Sequence, residues 1–375
     1  MDRRKIDHIL FIFDSRATFS YSNNVIQKIK KNKKIKYSTL ITGNYLDKKL
    51  GVGLNVFKKN KIQVTNKAKF LSSTSRKNSW PINLGRAIVE YSKQISKIKP
   101  DLIMITGDRI ETLAACLTAT YLNIPIAHIQ AGDKSGHVDD IARAAIAKMA
   151  HIHFASCEDS VKRLKKWGEP SRRIFNVGAP QLDDISALLN KKRKPNKKKN
   201  IIIIFHPVLD EIFQYKQNIK NLFKSILKFD YNYQWIYPNN DFGYKVLIKF
   251  FNSSHVRKKV QIIKNLERDE FLNLMLNSDA MIGNSSSGII EAPSLKLPVI
   301  NIGNRQHLRP QAKNIVNTSY NQNDIVKKIQ FIFNNKNFLK KNKTTKNLYY
   351  KKNSAEQILK ILIKLKKKDN LFKKI

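Results

Sequence analysis

Short, continuous apolar runs recur along the chain: HILFIF, DLIMIT, IPIAHI, HIHFAS, RIFNVG, IIIIF, QWIY, QIIK, DAMIG and LPVINI. Each has the length of a strand, and a run as uniformly apolar as IIIIF predicts a strand buried on both faces. Between the runs lie LGRAIVEYSKQISKIK, ETLAACLTATYL and EFLNLML, whose apolar residues return at helical spacing. Strands that alternate with helices predict an α/β fold with parallel sheets covered on both faces. The sharpest break is KKRKPNKKKN, Lys191 to Asn200, a charged stretch with a proline that separates two β/α series. It reads as a linker or exposed loop at a domain boundary.

The expected organisation is therefore two Rossmann-like, doubly wound domains facing each other across a cleft. The first spans 1–180 and the second 181–353. The lysine-rich tail ILKILIKLKKKDNLFKKI has amphipathic helical spacing and is expected to form a terminal helix over about 354–375 that packs back on the first domain. Such a stripe also suits a membrane surface; a packed helix with a solvated lysine face is the reading adopted.

Composition narrows the class. The 375 residues are 42% hydrophobic, enough for a sizeable core. The two cysteines, Cys116 and Cys157, offer no disulfide framework and no metal-ligand spacing, which favours a reducing compartment. The apolar run IDHILFIF near the start is short and broken by Asp7 and His8, with no cleavage site after it. Without a run of about 18 apolar residues, no spanning helix is expected, and the protein is expected in the cytoplasm. The formal net charge of +43 raises the question of nucleic acid. However, the lysines are scattered, and no nucleic-acid motif accompanies them. The charge reads as lysine-rich surface composition with no specific nucleic-acid partner.

In doubly wound sheets ligands bind beyond the carboxyl ends of the strands, so chemistry is sought there. DLIMIT is followed by GDRIE, Gly107 to Glu111, which puts Asp108 at a strand end where an aspartate also suits a helix cap. IPIAHI runs into HIQAGDKSGHVDD, His128 to Asp140, with glycines for tight turns, Asp133 in the loop, and Asp139 and Asp140 opening the next helix. Asp108, Asp133 and Asp140 are expected to gather at one mouth, where crowded carboxylates divide acid and base roles. His128 and His137 are conceivable metal ligands beside them, but no paired spacing supports a metal. In the second half, IIIIFHP places His206 at a strand end. DAMIGNSSSGIIEAP is a strand, a turn and a helix whose backbone N–H groups and Ser285, Ser286 and Ser287 hydroxyls suit a phosphate. Arg305 and Arg309 follow another strand and suit diphosphate pairing. The residues together suggest a nucleoside diphosphate whose attached group is presented to carboxylates.

This combination resembles the UDP-N-acetylglucosamine 2-epimerase family, and its hydrolysing branch most closely. The resemblance is carried in order by SRATFSY, KPDLIMITGDRIETLAA, NIPIAHIQAGDKSGHVDDIARAAIAKMAHIHFAS, NVGAPQLDDI, FHPV, YPNND and GNSSSGIIEAPSLKLPVINIGNRQ. It implies the glycosyltransferase-B architecture, conversion of UDP-GlcNAc and water to ManNAc and UDP, no cofactor, no metal, and a homo-oligomer (dimer or tetramer). The implied route is anti elimination of UDP to a 2-acetamidoglucal, then hydration. Asp108, Asp133 and Asp140 match the family's catalytic acids, and His206 a position near the diphosphate. Ser285, Ser286 and Ser287 match the diphosphate turn, Glu291 an acid that binds the ribose, and Arg16 an arginine near the phosphates. Arg309 or Arg305 matches a downstream arginine. Arg109, Asn240, Asn284 and Gly288 lie within matched motifs and are assigned to the UDP-sugar site.

The chain departs from the family pattern in several places. Asp133 stands where glutamate is usual, Ala144 where histidine commonly follows the arginine, and Asp14 where glycine usually precedes Ser-Arg. The HIQAGDKSGHVDD loop is also shorter than usual. These departures bear on sugar specificity and keep a related substrate such as UDP-diacetylbacillosamine in view. GNSSSG, in place of a glycine-rich turn, argues against the non-hydrolysing branch. A glycosyltransferase, a nucleic-acid binder and a non-catalytic sugar-nucleotide binder are the competing readings.

Overall fold

The computed structural model describes residues 5–46, 53–70, 79–136, 139–186, 188, 197–239 and 241–365. Two compact units emerge. One comprises Met1–Lys134, Asp139–Asp184 and Tyr349–Ile375, the other Ser135–Val138 and Ile185–Leu348.

The first unit holds a seven-stranded sheet in the order β3-β2-β1-β4-β5-β6-β7. Its strands are β1 (His8–Phe13), β2 (Lys36–Ile41), β3 (Asn66–Lys67), β4 (Leu102–Thr106), β5 (Ile126–Ala131), β6 (Ile152–Ala155) and β7 (Ile174–Asn176). Every pairing is parallel. Along β1, alternate side chains enter opposite cores. Ile9, Phe11 and Phe13 join one cluster, and Leu10 and Ile12 join the other. That two-sided burial is why HILFIF is apolar throughout.

The second unit holds a six-stranded parallel sheet in the order β10-β9-β8-β11-β12-β13. Its strands are β8 (Asn200–Ile204), β9 (Asn232–Ile236), β10 (Gln261–Ile263), β11 (Ala280–Gly283), β12 (Val299–Ile302) and β13 (Ile315–Thr318). The α/β, doubly wound reading of the sequence therefore holds for both sheets.

Three strands are not apparent from apolar runs. In β2, KYSTLI, Thr39 is fully buried because its hydroxyl donates to the Gln63 carbonyl at 2.7 Å and its N–H donates to Thr65 Oγ1 at 3.2 Å. The two-residue β3 and the partly exposed edge strand β13 are too short or too polar to stand out.

The helix Ser354–Lys364 contributes Ala355, Ile358, Leu359 and Leu362 to the same core as Phe11 and Phe13. Burying each of the three large side chains contributes roughly 1.5–3 kcal/mol. Its first turn is held by Asp183, which accepts from the N–H of Ser354 at 3.1 Å and of Ala355 at 2.9 Å. Most of the KKRKPNKKKN stretch, residues 191–196, lies outside the described residues, as does the tail from 366 onward. Among the described residues no helix is long and apolar enough to cross a membrane. Cys116 and Cys157 are free and buried.

Candidate functional site

Each sheet has one switch point, where chain connections leave in opposite directions. In the first sheet it lies between β1 and β4, and in the second between β8 and β11. Loops diverge there and leave room for a ligand. The candidate residues cluster beyond these strand ends.

In the first unit, Arg143 from the helix Asp139–Met149 pairs with both Asp108 and Asp140. One guanidinium thus draws two of the predicted acids together, a task that suits its fixed fork of donors. The alternative of Asp108 as a simple helix cap does not hold. The N-cap of the helix Ile110–Tyr121 is Arg109, and the Asp108 carboxylate is turned to Arg143. Asp133 is buried, and its Oδ1 accepts from the hydroxyls of Ser156 at 2.5 Å and Ser160 at 2.9 Å. Arg16 opens the helix Arg16–Asn32, and burial lowers its pKa while Tyr45 opposes the shift. His137 lies outside the described residues, and of Asp139 only the backbone is described.

Sequence reasoning missed several groups in this unit. Arg143 was visible only as a departure at its neighbour, although the i,i+3 spacing from Asp140 was available. Asp14 and Glu111 are buried beyond β1 and β4. Burial pushes Glu111 up to about 7; Arg109, whose Nε lies 3.5 Å from Glu111 Oε2, opposes this, and Asp14 adds to it. Burial likewise raises Asp14, against Arg109 and the hydrogen bonds of Ser15 and Thr18. Tyr91 lies fully buried beside both acids, and burial raises its pKa. Gln130, the penultimate residue of β5, has a left-handed φ of 62° within a register irregularity between Ile129 and Ala131. Strained backbone of this kind tends to mark sites.

In the second unit, His206 and Asn284 join the ends of β8 and β11. The His206 N–H donates to Asn284 Oδ1 at 2.7 Å, and Asn284 Nδ2 donates to the His206 carbonyl at 2.9 Å. The N–H of Asn239 donates to His206 Nδ1 at 3.2 Å, so the neutral ring carries its proton on Nε2. Gly283 must be glycine: its φ is 138°, and a Cβ there would meet the Ile204 carbonyl oxygen at 1.9 Å. The serine turn caps itself, since Ser285 Oγ accepts from the Ser287 N–H at 3.3 Å and lies 2.8 Å from Ser287 Oγ. The helix it opens, Ser286–Ile290, is only five residues long. Any anion there relies on local N–H and hydroxyl donors more than on a helix dipole. Gly288 is buried in that turn.

Glu291 is buried and paired with Arg268, a partner the sequence did not suggest. Arg305 Nη1 and Gln306 Nε2 both donate to the Asn284 carbonyl, at 3.1 and 3.2 Å, and Arg305 Nη2 lies 4.0 Å from Asp241. Arg305 is thus engaged in holding the turn. Arg309 is buried nearby in sequence, its N–H donating to the Gln306 carbonyl at 3.1 Å. Asn240 lies outside the described residues. Among the described residues, no group of three or more His, Cys, Asp or Glu is arranged to hold a metal ion.

The two parallel, doubly wound sheets carry acids beyond the switch point of one and an Asn/Ser turn beyond that of the other, where such sheets bind their ligands. Comparison with known proteins makes this specific. Residues 27–363 match the family described as UDP-N-acetylglucosamine 2-epimerase, and the chain belongs to it. It is 33% identical over 320 residues to the UDP-N,N'-diacetylbacillosamine 2-epimerase (hydrolyzing) of Legionella pneumophila, covering 83% of this chain and 85% of that one. It is 32% identical over 339 residues to the GDP/UDP-N,N'-diacetylbacillosamine 2-epimerase (hydrolyzing) of Campylobacter jejuni, covering 86% of each. Among solved structures, the UDP-GlcNAc 2-epimerase from Neisseria meningitidis bound to UDP-GlcNAc shares the fold, with TM-score 0.78, 20% identity and coverage of 96% of this chain and 100% of that one. The chain is therefore an enzyme of the UDP-sugar 2-epimerase class.

Proposed function

We propose that the protein is a hydrolysing 2-epimerase of UDP-2-acetamido sugars. The observation that carries the reading is Arg143 joined to Asp108 and Asp140 beyond the switch point of the first sheet. Two carboxylates under one cation suit transfer of a single proton at the sugar C2 and management of one water. One acid removes the C2 proton. The C2–H electron pair forms the C1=C2 bond, the C1–O bond breaks, and UDP leaves with the electron pair. Water then adds its oxygen at C1 as one of its O–H bonds breaks and gives that proton to a carboxylate, and a proton is delivered to C2 from the opposite face. The products are UDP and the free 2-epimerised sugar.

Asp108, Asp133 and Asp140 are assigned to these proton transfers. His206, with its proton on Nε2, and the turn Asn284–Gly288 are assigned to the diphosphate. Arg16, Arg109, Arg309 and Glu291 are assigned to the rest of the UDP-sugar, and Arg305 to holding the turn. Charge developing on the leaving UDP is where fixed donors lower the barrier most.

Two substrates fit. UDP-diacetylbacillosamine is favoured by the names of the two relatives above and by the shortened loop with Asp133 in place of glutamate. UDP-GlcNAc is favoured by the family's name and by a UDP-N-acetylglucosamine 2-epimerase of Neisseria meningitidis serogroup B, 30% identical over 329 residues. The deciding experiment incubates each UDP-sugar with the protein in heavy water and follows phosphorus and sugar protons by NMR. Free UDP with a C2-deuterated, 2-epimerised free sugar supports the reading and identifies the substrate. A product with UDP still attached moves the protein to the non-hydrolysing branch. Inertness towards both sugars overturns the reading.

A further inference from the structure

His128 is a fully buried imidazole in β5 whose Nε2 lies 2.8 Å from the carbonyl oxygen of Gly107, at the end of the neighbouring strand β4. A carbonyl oxygen only accepts, so Nε2 must carry the proton. Nδ1 is buried with no hydrogen-bond partner among the described residues, as suits the bare nitrogen of a neutral ring. The strand register places His128 opposite Ile105 and Ile129 opposite Thr106. The N–H of Gly107 reaches the Ile129 carbonyl at 3.4 Å. Strand β5 therefore holds Gly107 by both its N–H and its carbonyl. Gly107 has a left-handed φ of 76°, so it is the pivot where the chain leaves the sheet, and the next residue is Asp108.

We propose that His128 is a positioning residue: as a neutral Nε2–H donor it locks the Gly107 peptide and so fixes the direction in which Asp108 enters the site. The proposal rests on the reading of Asp108 as a proton-transferring acid. Arg143 fixes the same residue by its carboxylate, so backbone and side chain are set from separate elements. A neutral donor does this without adding a second cation beside a carboxylate that must accept a proton. The groups facing the ring keep it so. Burial, assisted by His153 beside it on β6, holds His128 down to about 4, against the opposing pull of the Gly107 hydrogen bond first and of Asp108 and Asp133 after it.

The test compares wild type, His128→Leu, which removes the donor, and His128→Gln, whose amide nitrogen replaces Nε2. Ring nitrogen shifts of wild type, measured by NMR from pH 5 to 9, are expected to show the Nε2–H tautomer with no titration. In His128→Leu, kcat is expected to fall about 10²-fold, the cost of a small misplacement of a reacting group. KM and UDP affinity are expected to stay within about twofold, and amide exchange at Gly107 and Asp108 to accelerate. His128→Gln should recover kcat to within about tenfold of wild type. An Nδ1–H tautomer, a ring that titrates near neutrality, or a His128→Leu variant with wild-type kcat overturns the proposal. Should wild type turn over no UDP-sugar, the functional reading fails alone, and the tautomer and exchange measurements still decide whether His128 holds the Gly107 peptide. Should His128→Leu fail to fold, the wild-type tautomer and His128→Gln decide.

Discussion

Asn284 closes the switch point of the second sheet by bonding His206 on both sides of its backbone: Oδ1 takes the His206 N–H, and Nδ2 gives to the His206 carbonyl. The two strand-end loops are thereby set against each other before any ligand arrives. Asn284→Ala leaves one buried N–H and one buried carbonyl without these partners, a loss of about 2–3 kcal/mol. Chemical denaturation should show that loss. Calorimetry with UDP should show binding weakened by at least about tenfold, because His206 and the serine turn lose their common reference.

Arg143 carries the corresponding burden in the first unit. Arg143→Gln leaves Asp108 and Asp140 as neighbouring carboxylates without their shared cation. Both should hold protons more tightly, so the acidic limb of kcat/KM should move to higher pH while kcat falls by about 10²-fold. Arg143→Lys keeps a charge but not the fork, and should lie between. A pH–rate profile of the three proteins checks this, and an unmoved acidic limb would exclude the shared-cation account.

The assigned acids themselves make a simpler prediction. Asp108→Asn, Asp133→Asn and Asp140→Asn should each abolish turnover while UDP binding, measured by calorimetry, stays within about threefold. If all three variants retained activity, the acid assignment would be wrong.

The fold was legible because parallel strands buried on both faces must be apolar throughout, and IIIIF or HILFIF can be little else. Of the strands that escaped, β2 owes its place to side-chain hydrogen bonds such as those of Thr39, and β3 and β13 lie at sheet edges, where polar residues are tolerated. At the site, motif order pointed to Asp108, Asp140, His206 and the serine turn. It did not reveal partners brought from elsewhere in the sequence: Arg268 on Glu291, or Ser156 and Ser160 on Asp133. Those pairings depend on which way a helix turns after the strand, and no local pattern encodes that. Asp14 appeared in the sequence only as an oddity before Ser-Arg. Its meaning, a second buried acid near Glu111, needed β1 and β4 to be neighbours.

The docking of the terminal helix rests on a small polar contact as well as an apolar face. Asp183 caps the helix Ser354–Lys364 from a distant part of the chain by accepting two of its first N–H groups. Asp183→Ala should cost about 1–2 kcal/mol, as loss of a helix cap does. Trypsin should then cut faster among the lysines around Lys351 and Lys360. An unchanged rate of cleavage would mean that the apolar side chains alone hold the helix.

Glu111 fixes the sign of a pH effect on stability. Its ordinary value is 4.5, and burial pushes it up to about 7 in the folded protein. Between those two values the folded state binds more protons at this residue than the unfolded state. The slope of unfolding free energy with pH is then negative. The contribution of Glu111 is therefore most favourable below about pH 4.5, declines as pH rises through 7, and is flat above. Asp14, raised for the same reason, adds a slope of the same sign. Glu111→Gln replaces the acid with a group of similar shape that has no proton to lose. It should raise the melting temperature at pH 8 relative to wild type and flatten the decline between pH 5 and 8. Thermal unfolding of both proteins across that range checks the prediction. A wild-type curve that rises with pH over the window, with the variant following it in parallel, would show that Glu111 is ionised throughout.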